Sequence, residues 1–288
     1  MGLPGGFGSI LIGALMSALL YGVTNLQTYV YYMHYSEDAS TTKVLVAAIW
    51  VLDTLHVFFV CHMVYYYLIT SYGVPTNLEH LTWSFSASVL VHSFVISIVQ
   101  LFFVRKIHYL CRHQLRWLVT IPIILSVIVH FVFGIATVVV TLLNNALSAA
   151  THNRLYTSLP AVSAMALAEV LITVSLCVLL YQSGSRSAVP RTKNLLNTLI
   201  IYAVNRCFLT LLVVVAEVTV DADDLLAWAV GMNTTIPKLY ANSLLASLNT
   251  REHLRSQNWG KSNIHMNAVH VAKLPKLSGN GKGATDRE

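Results

Sequence analysis

The chain has 288 residues, of which 56% are hydrophobic and only 10% are charged. A soluble domain carries about 25% charged residues, so these few charges cannot cover a water-exposed surface. The formal net charge of the chain is +6. We attribute this charge to basic loops that attract anionic lipid, and we expect no nucleic-acid partner. The composition excludes an ordinary soluble protein and predicts one whose main partner is the lipid bilayer.

Long apolar runs with few charges recur along the chain. They cover 8–33, 44–70, 84–104, 116–143, 158–182, 195–220 and 225–247. Each run can cross a hydrocarbon core, which takes about 20 helical residues, and lipid-exposed spans are helices because they must satisfy their own backbone. The sequence therefore predicts an all-α membrane protein, a seven-transmembrane helix bundle over 1–247. The polar, basic tail, 248–288, is expected to be mostly disordered.

Basic residues near the ends of the runs predict the orientation. If the N-terminus is outside, Arg154 is the basic residue on the outer side. The cytoplasmic side then holds Lys43, Arg105, Lys106, Arg112, Arg116, Arg186, Arg191, Lys193, Arg251 and Arg255. This bias predicts an outside N-terminus and a cytoplasmic C-terminus. We expect the plasma membrane, although internal membranes obey the same charge rule.

Two acids and two bases lie deep within the predicted spans, where charges are costly and usually face the bundle interior. At about 1.5 Å per residue, Asp53 and Lys238 lie at a similar depth, each nine residues from the inner end of its run. Glu169 and Arg206 both fall close to the midplane. We predict an Asp53–Lys238 pair and a Glu169–Arg206 pair, because pairing removes most of the burial cost.

Histidines accompany these charges. His56 follows Asp53 by three residues and shares its helix face, while His92 and His130 lie in the third and fourth runs. Zinc accepts such ligands, so a zinc-dependent membrane hydrolase is one alternative. No HxxxH or HExxH spacing occurs in any span, and we prefer hydrogen-bonding interior residues without a metal or other cofactor.

Lys238 has a further chemical alternative. A lysine in a seventh helix can form a Schiff base with retinal, but Thr234 stands where a microbial rhodopsin would place an acid. We prefer a structural ion pair, followed by contact with an anionic ligand. The candidates for an intramembrane polar or ligand site, none of them assigned a catalytic role, are Asp53, His56, His92, His130, Glu169, Asn205, Arg206, Lys238, Tyr240 and Asn242.

Two stretches carry a resemblance to a known family. One is SGSRSAVPRTKNLLNTLIIYAVNRCFLT, which matches at Ser183, Arg191, Thr192, Leu195, Ile200, Tyr202 and Asn205. The other is PKLYANSLLASLNTREHLR, which matches at Lys238, Leu239, Tyr240, Asn242, Ser243, Leu244, Leu245, Ala246, Leu248, Asn249 and Arg251. The segment from about 166 to 255 resembles a large family of uncharacterised fungal membrane proteins, abundant in mushroom-forming basidiomycetes, that share a C-terminal domain of unknown function.

The resemblance extends to WVLDTLHVFFVCHMVYYYLITSYG, which looks like the second helix of that family. It implies a seven-helix bundle and names no activity. Arg206 departs from the family pattern, because it lies in RCFLT where a Gly-Leu-Leu-Thr-like stretch is usual.

These observations lead us to expect a non-enzymatic, receptor-like or sensory protein. Its small-molecule ligand would lie within the bundle, and a cytoplasmic signalling partner would meet the third and fifth loops and the tail. A transporter or channel for a small solute or ion is the alternative, because intramembrane charges mark such paths. The chain lacks a DRY-like triad and an NPxxY motif, so the receptor hypothesis rests on topology alone.

Overall fold

The computed structural model describes residues 4–72, 80–144, 153, 156–186, 200–201, 203–212, 215 and 231–250, with side chains from residue 8 and, in the fifth helix, up to residue 179. The tail from residue 251 and residues 216–230, which include the start of the seventh predicted run, lie outside the described residues. The helices are α1 (Pro4–His34), α2 (Ser40–Tyr65, continued by a π-helical turn over Tyr66–Thr70), α3 (Trp83–Leu110), α4 (Arg116–Leu143), α5 (Ser158–Arg186), α6 (Ala203–Leu212) and α7 (231–250).

The first five helices are each long and apolar enough to cross a membrane. Their spans are Gly8–His34, Ser40–Thr70, Trp83–Leu110, Arg116–Leu143 and Ser158–Leu179. They coincide with the first five predicted runs, while α6 and α7 are the described helical parts of the sixth and seventh. The chain is therefore a multi-pass helical membrane protein. The count of seven spans and the orientation remain predictions.

Helix α3 is the most buried of these five spans, and small polar side chains cover much of its inner surface. Small residues let helix backbones approach closely within a membrane. Gly134 of α4 packs against Ser93 so closely that a Cβ there would lie 2.6 Å from the serine Oγ. Ser86 and Thr141 share a hydrogen bond of 2.9 Å. These contacts occur in opposite order along the two helices, so α3 and α4 run antiparallel.

Helices α1 and α7 are joined along their length by polar contacts to backbone oxygens. The three bonds run from Thr235 Oγ1 to Gly13 O (3.4 Å), from Asn242 Nδ2 to Leu20 O (3.0 Å) and from Asn249 Nδ2 to Gln27 O (2.8 Å). Both members of each pair advance by seven residues from one bond to the next. The two helices therefore run parallel, with the heptad spacing of a coiled-coil seam.

Glycines permit this close approach at one end of the seam. A Cβ on Gly231 would lie 2.5 Å from the backbone oxygen of Ser9, and a Cβ on Gly13 would collide with the backbone of Gly231. Only residues without a Cβ fit here, because the obstructing atoms are backbone rather than flexible side chain. This contact brings α7 against α1 and thereby places Lys238 and Asn242 at the bundle interior.

Candidate intramembrane site

The predicted pair of Asp53 and Lys238 is present in the structure. Lys238 Nζ donates to Asp53 Oδ1 at 2.6 Å and to the backbone oxygen of the same residue at 2.7 Å. Both side chains are 0% exposed, and Nζ lies 5.5 Å from the centroid of the Tyr21 ring. The ammonium group is therefore held by two acceptors on α2 and an aromatic face on α1, which is how a buried charge is tolerated.

The predicted pair of Glu169 and Arg206 is also present. Arg206 Nε donates to Glu169 Oε1 at 2.6 Å, and its Nη1 donates to Ser243 Oγ at 2.9 Å. The guanidinium carbon lies 4.6 Å from the ring centroids of both Phe103 and Tyr240. A planar cation suits such a setting, because its edge forms directed hydrogen bonds while its faces meet aromatic rings. This site joins helices α3, α5, α6 and α7.

Sequence reasoning identified the two charges and Tyr240 of this second site, but it missed Phe103 and did not include Ser243 among the candidate site residues. Ser243 lies within the quoted family stretch, three residues beyond Tyr240, so the two share a helix face, and this spacing was a signal that could have found it. Phe103 carried no such signal, because it is one of many aromatic residues in the apolar runs. Only the packing of α3 against α6 brings its ring to Arg206.

Helix α7 forms polar bonds to four other helices. Lys238 bonds to α2, and Asn242 bonds to α1, where it also accepts from Thr24 Oγ1 at 3.2 Å. Ser243 accepts from Arg206 of α6, and Ser247 accepts from Lys106 of α3 at 3.2 Å. Any displacement of α7 must therefore break or exchange bonds with most of the bundle.

Three predicted histidines lie close to these pairs. His56 is buried within electrostatic range of both Lys238 and His92. His92 in turn hydrogen-bonds the backbone of Asn233 and lies within range of His130. His56, His92 and His130 thus form a histidine row on α2, α3 and α4, each within electrostatic range of the next, with Lys238 of α7 near its first member.

The hydrogen bonds of His130 and His56, the histidines at the two ends of the row, determine which of their ring nitrogens can bind a further partner. His130 Nδ1 lies 3.1 Å from the backbone oxygen of Ala161, which accepts from it, so the neutral ring carries its proton on Nδ1. Its Nε2 has no hydrogen-bond partner among the described residues, and the same is true of His56 Nδ1. Each ring therefore keeps one nitrogen available to a small polar molecule or a proton.

Three oxygen atoms beside the ion pairs also retain hydrogen-bonding capacity. Within the described part of the chain, Asp53 Oδ2, Glu169 Oε2 and the Tyr240 hydroxyl have no hydrogen bond of good geometry. The Tyr240 hydroxyl lies close to both Glu169 and Thr210. Buried polar groups are normally satisfied, so these atoms can accept donors from a bound molecule.

Two results bear on the remaining candidates. Asn205, which was expected to belong to the interior set, is exposed on the surface of α6 and does not join either pair. For the zinc alternative, no group of three or more His, Cys, Asp or Glu residues converges closely enough to hold a metal within the described ranges.

The chain was compared with known proteins. Residues 165–253, just under a third of the chain, match a family described as a family of unknown function (DUF6534). No curated protein and no solved structure matches the chain. The match confirms a domain of unknown function in the region that the resemblance indicated, and it contains Glu169, Arg206 and Lys238.

Proposed function

We propose that the protein is a receptor-like or sensory seven-helix membrane protein, without enzymatic activity, that detects a small molecule within its bundle. Its N-terminus would lie outside and its C-terminus in the cytoplasm of the plasma membrane, as in the fungal family that it resembles. The observation that carries this proposal is the position of α7, whose polar side chains bond to α1, α2, α3 and α6 at once.

The helix directions support a bundle of seven. Neighbouring helices such as α3 and α4 run antiparallel, whereas α1 and α7 run parallel with a constant heptad register. In a chain that crosses a membrane back and forth, two spans run in the same direction only when an odd number of spans lies between them. The five helices from α2 to α6 satisfy that condition.

The state of the interior charges favours a receptor over an open path. Asp53 and Lys238 are fully buried against one another, and Arg206 is enclosed by a carboxylate, a serine and two rings. A ligand shifts a conformational equilibrium only through a difference in affinity between two states. A small molecule with hydrogen-bond donors, such as an amine or a polyol, could bind Glu169 Oε2 and thereby compete with Arg206.

The test combines binding with a conformational readout. Cys111, between α3 and α4, carries an environment-sensitive fluorophore after the other three cysteines, Cys61, Cys177 and Cys207, are replaced by alanine. Purified protein is screened against small amines, alcohols and polyols for changes in both Tm and emission. We expect at least one compound to change both, Glu169→Gln to abolish the response and the exposed Asn205→Ala to retain it. A panel without any response would refute the proposal.

A proton-coupled transporter is the second candidate, and the histidine row favours it. His56 and His130 each keep a ring nitrogen without a hydrogen-bond partner among the described residues, and His92 lies between them. Such rows serve as proton relays in pumps and transporters. Proton flux into proteoliposomes that disappears in His92→Phe would support this candidate, whereas flux equal to that of empty liposomes would remove it.

A further inference from the structure

A groove lies between the C-terminal end of α3 and the N-terminal end of α4, which the short loop 111–115 connects. Its volume is about 310 Å³. Its deeper part is lined by the apolar side chains of Leu101, Val104 and Ile124, and its mouth by Arg105, His108 and Trp117. The lining of the groove therefore changes from apolar to polar in the direction in which the membrane changes from hydrocarbon to headgroup.

The depth of the groove matches one lipid leaflet. Its lining on α3 runs from Leu101 to Tyr109, eight residues or about 12 Å at 1.5 Å per residue. Half of a hydrocarbon core of about 30 Å is about 15 Å. An acyl chain lying along Leu101 and Ile124 would thus reach from the interface towards the midplane. Leu101 is 47% exposed whereas Val104 is 5% exposed, so the groove opens to the lipid at Leu101 and has the bundle core as its floor at Val104.

The mouth of the groove carries the positive charge of Arg105, and further basic residues are close to it in the sequence. Arg105 lines the groove itself, Arg112 lies in the adjoining loop, and Arg116 precedes the lining residue Trp117. Residues 101–124 contain no acidic residue. The guanidinium carbon of Arg105 lies 5.8 Å from the centroid of the Tyr109 ring, and that of Arg116 lies 5.9 Å from the Trp117 ring. In the described part of the chain, Arg105 has no acidic partner, so its charge is available to an anion.

Aromatic side chains shape the mouth. The rings of His108 and Trp117 meet edge to face with centroids 4.8 Å apart, which closes one wall between the helices. Trp and Tyr prefer the headgroup level of a bilayer. No side chain caps the amino end of α4 beside this wall, and the helix dipole there adds to the attraction for a negative group.

We infer that this groove is a binding site for one anionic phospholipid. The lipid phosphate lies against Arg105, its headgroup extends past Trp117 towards Arg116, and one acyl chain follows Leu101 and Ile124 into the leaflet. The positive mouth selects an anionic headgroup over a zwitterionic one, and the apolar lining selects a lipid over a free anion. This site is separate from the ion pairs and does not depend on the receptor proposal.

The test titrates the full-length protein in non-ionic detergent with dioleoyl phosphatidylserine, dioleoyl phosphatidylcholine or inorganic phosphate, and counts bound molecules by native mass spectrometry. Each basic residue near a membrane surface contributes about 1 kcal/mol, so Arg105→Gln weakens phosphatidylserine binding about fivefold and the double variant with Arg116→Gln about 25-fold. Leu101→Trp blocks the acyl part and weakens binding without a change of charge. Lys43→Gln, which removes one positive charge elsewhere, changes the affinity less than about twofold.

Four outcomes would overturn the inference. Phosphatidylcholine could bind as tightly as phosphatidylserine, which would remove the selectivity of the mouth. Lys43→Gln could weaken binding as much as Arg105→Gln, which would show a diffuse charge effect. Inorganic phosphate could displace the lipid at similar concentration, or Leu101→Trp could leave lipid binding intact, and either result would show an anion site without an acyl groove.

Discussion

Replacement of Lys238 by methionine tests whether the Asp53–Lys238 pair holds the bundle together. The change keeps an unbranched side chain one heavy atom shorter but removes bonds of 2.6 Å and 2.7 Å, both to Asp53, at a site where neither side chain is exposed. Removing one partner of a buried pair costs about 3–5 kcal/mol, because the other charge is left uncompensated. This is a large part of a typical unfolding free energy of about 5–15 kcal/mol.

The double variant Asp53→Leu/Lys238→Met distinguishes pairing from simple packing. A buried pair replaced by apolar residues of similar size is often neutral or even stabilising, so we expect the double variant to be more stable than Lys238→Met alone. The charge swap Asp53→Lys/Lys238→Asp should recover only part of the loss. The swapped lysine cannot restore the bond that Lys238 Nζ donates to the backbone oxygen of residue 53.

The free energy of unfolding is measured by titration of SDS into mixed micelles, with helix content as the readout. Lys43→Met is the matched control, since Lys43 is half-buried near a helix end and its replacement should change stability by less than about 1 kcal/mol. If the losses in Asp53→Leu and Lys238→Met add in the double variant, or if Lys238→Met costs no more than the control, the pairing argument is refuted.

Three further predictions use the same unfolding assay. Gly231→Ala should lower the free energy of unfolding by about 1–3 kcal/mol through overpacking. The control Gly22→Ala has nothing within 4 Å of its added Cβ and should stabilise the helix by up to about 1 kcal/mol. Equal effects of the two changes would contradict the close approach of α1 and α7. Asn242→Ala should lose about 1–2 kcal/mol with its two bonds to α1, and Asn205→Ala should be neutral; a neutral Asn242→Ala would argue against the seam. Arg206→Lys should destabilise the protein by about 1–3 kcal/mol although the charge is retained. A lysine ammonium cannot form both hydrogen bonds of the guanidinium or stack on the rings of Phe103 and Tyr240. A variant as stable as the wild type would show that only the charge matters at this site.

The two ion pairs show how far depth along the membrane normal can be predicted from sequence. Counting residues from the inner ends of the runs placed Asp53 level with Lys238, and the midplane positions placed Glu169 level with Arg206; the structure contains both pairs. The prediction succeeded because a bilayer allows few charges, so two acids and two bases at matched depths leave few alternatives.

The same counting could not show which way each side chain points around its helix axis. Asn205 and Arg206 are neighbours at nearly the same depth, yet Asn205 is exposed while Arg206 is 2% exposed between two aromatic rings. Thr210, four residues beyond Arg206, is buried on the same face, but one threonine in an apolar run does not by itself mark that face as the inward one. The rotation of α6 is instead decided by the contacts that it makes with α3, α5 and α7.

The sequence by itself determined that the chain is a multi-pass helical membrane protein and how deep its charged residues lie. Hydrocarbon thickness and a rise of about 1.5 Å per residue convert position in a run directly into depth. Only the tertiary structure decided which helices touch: that Gly13 and Gly231 bring α1 and α7 together, that Asn242 bonds to α1, and that α3 and α4 leave a basic groove between them. Lateral neighbours depend on the fit between whole helix surfaces, and no count along a single helix contains that information.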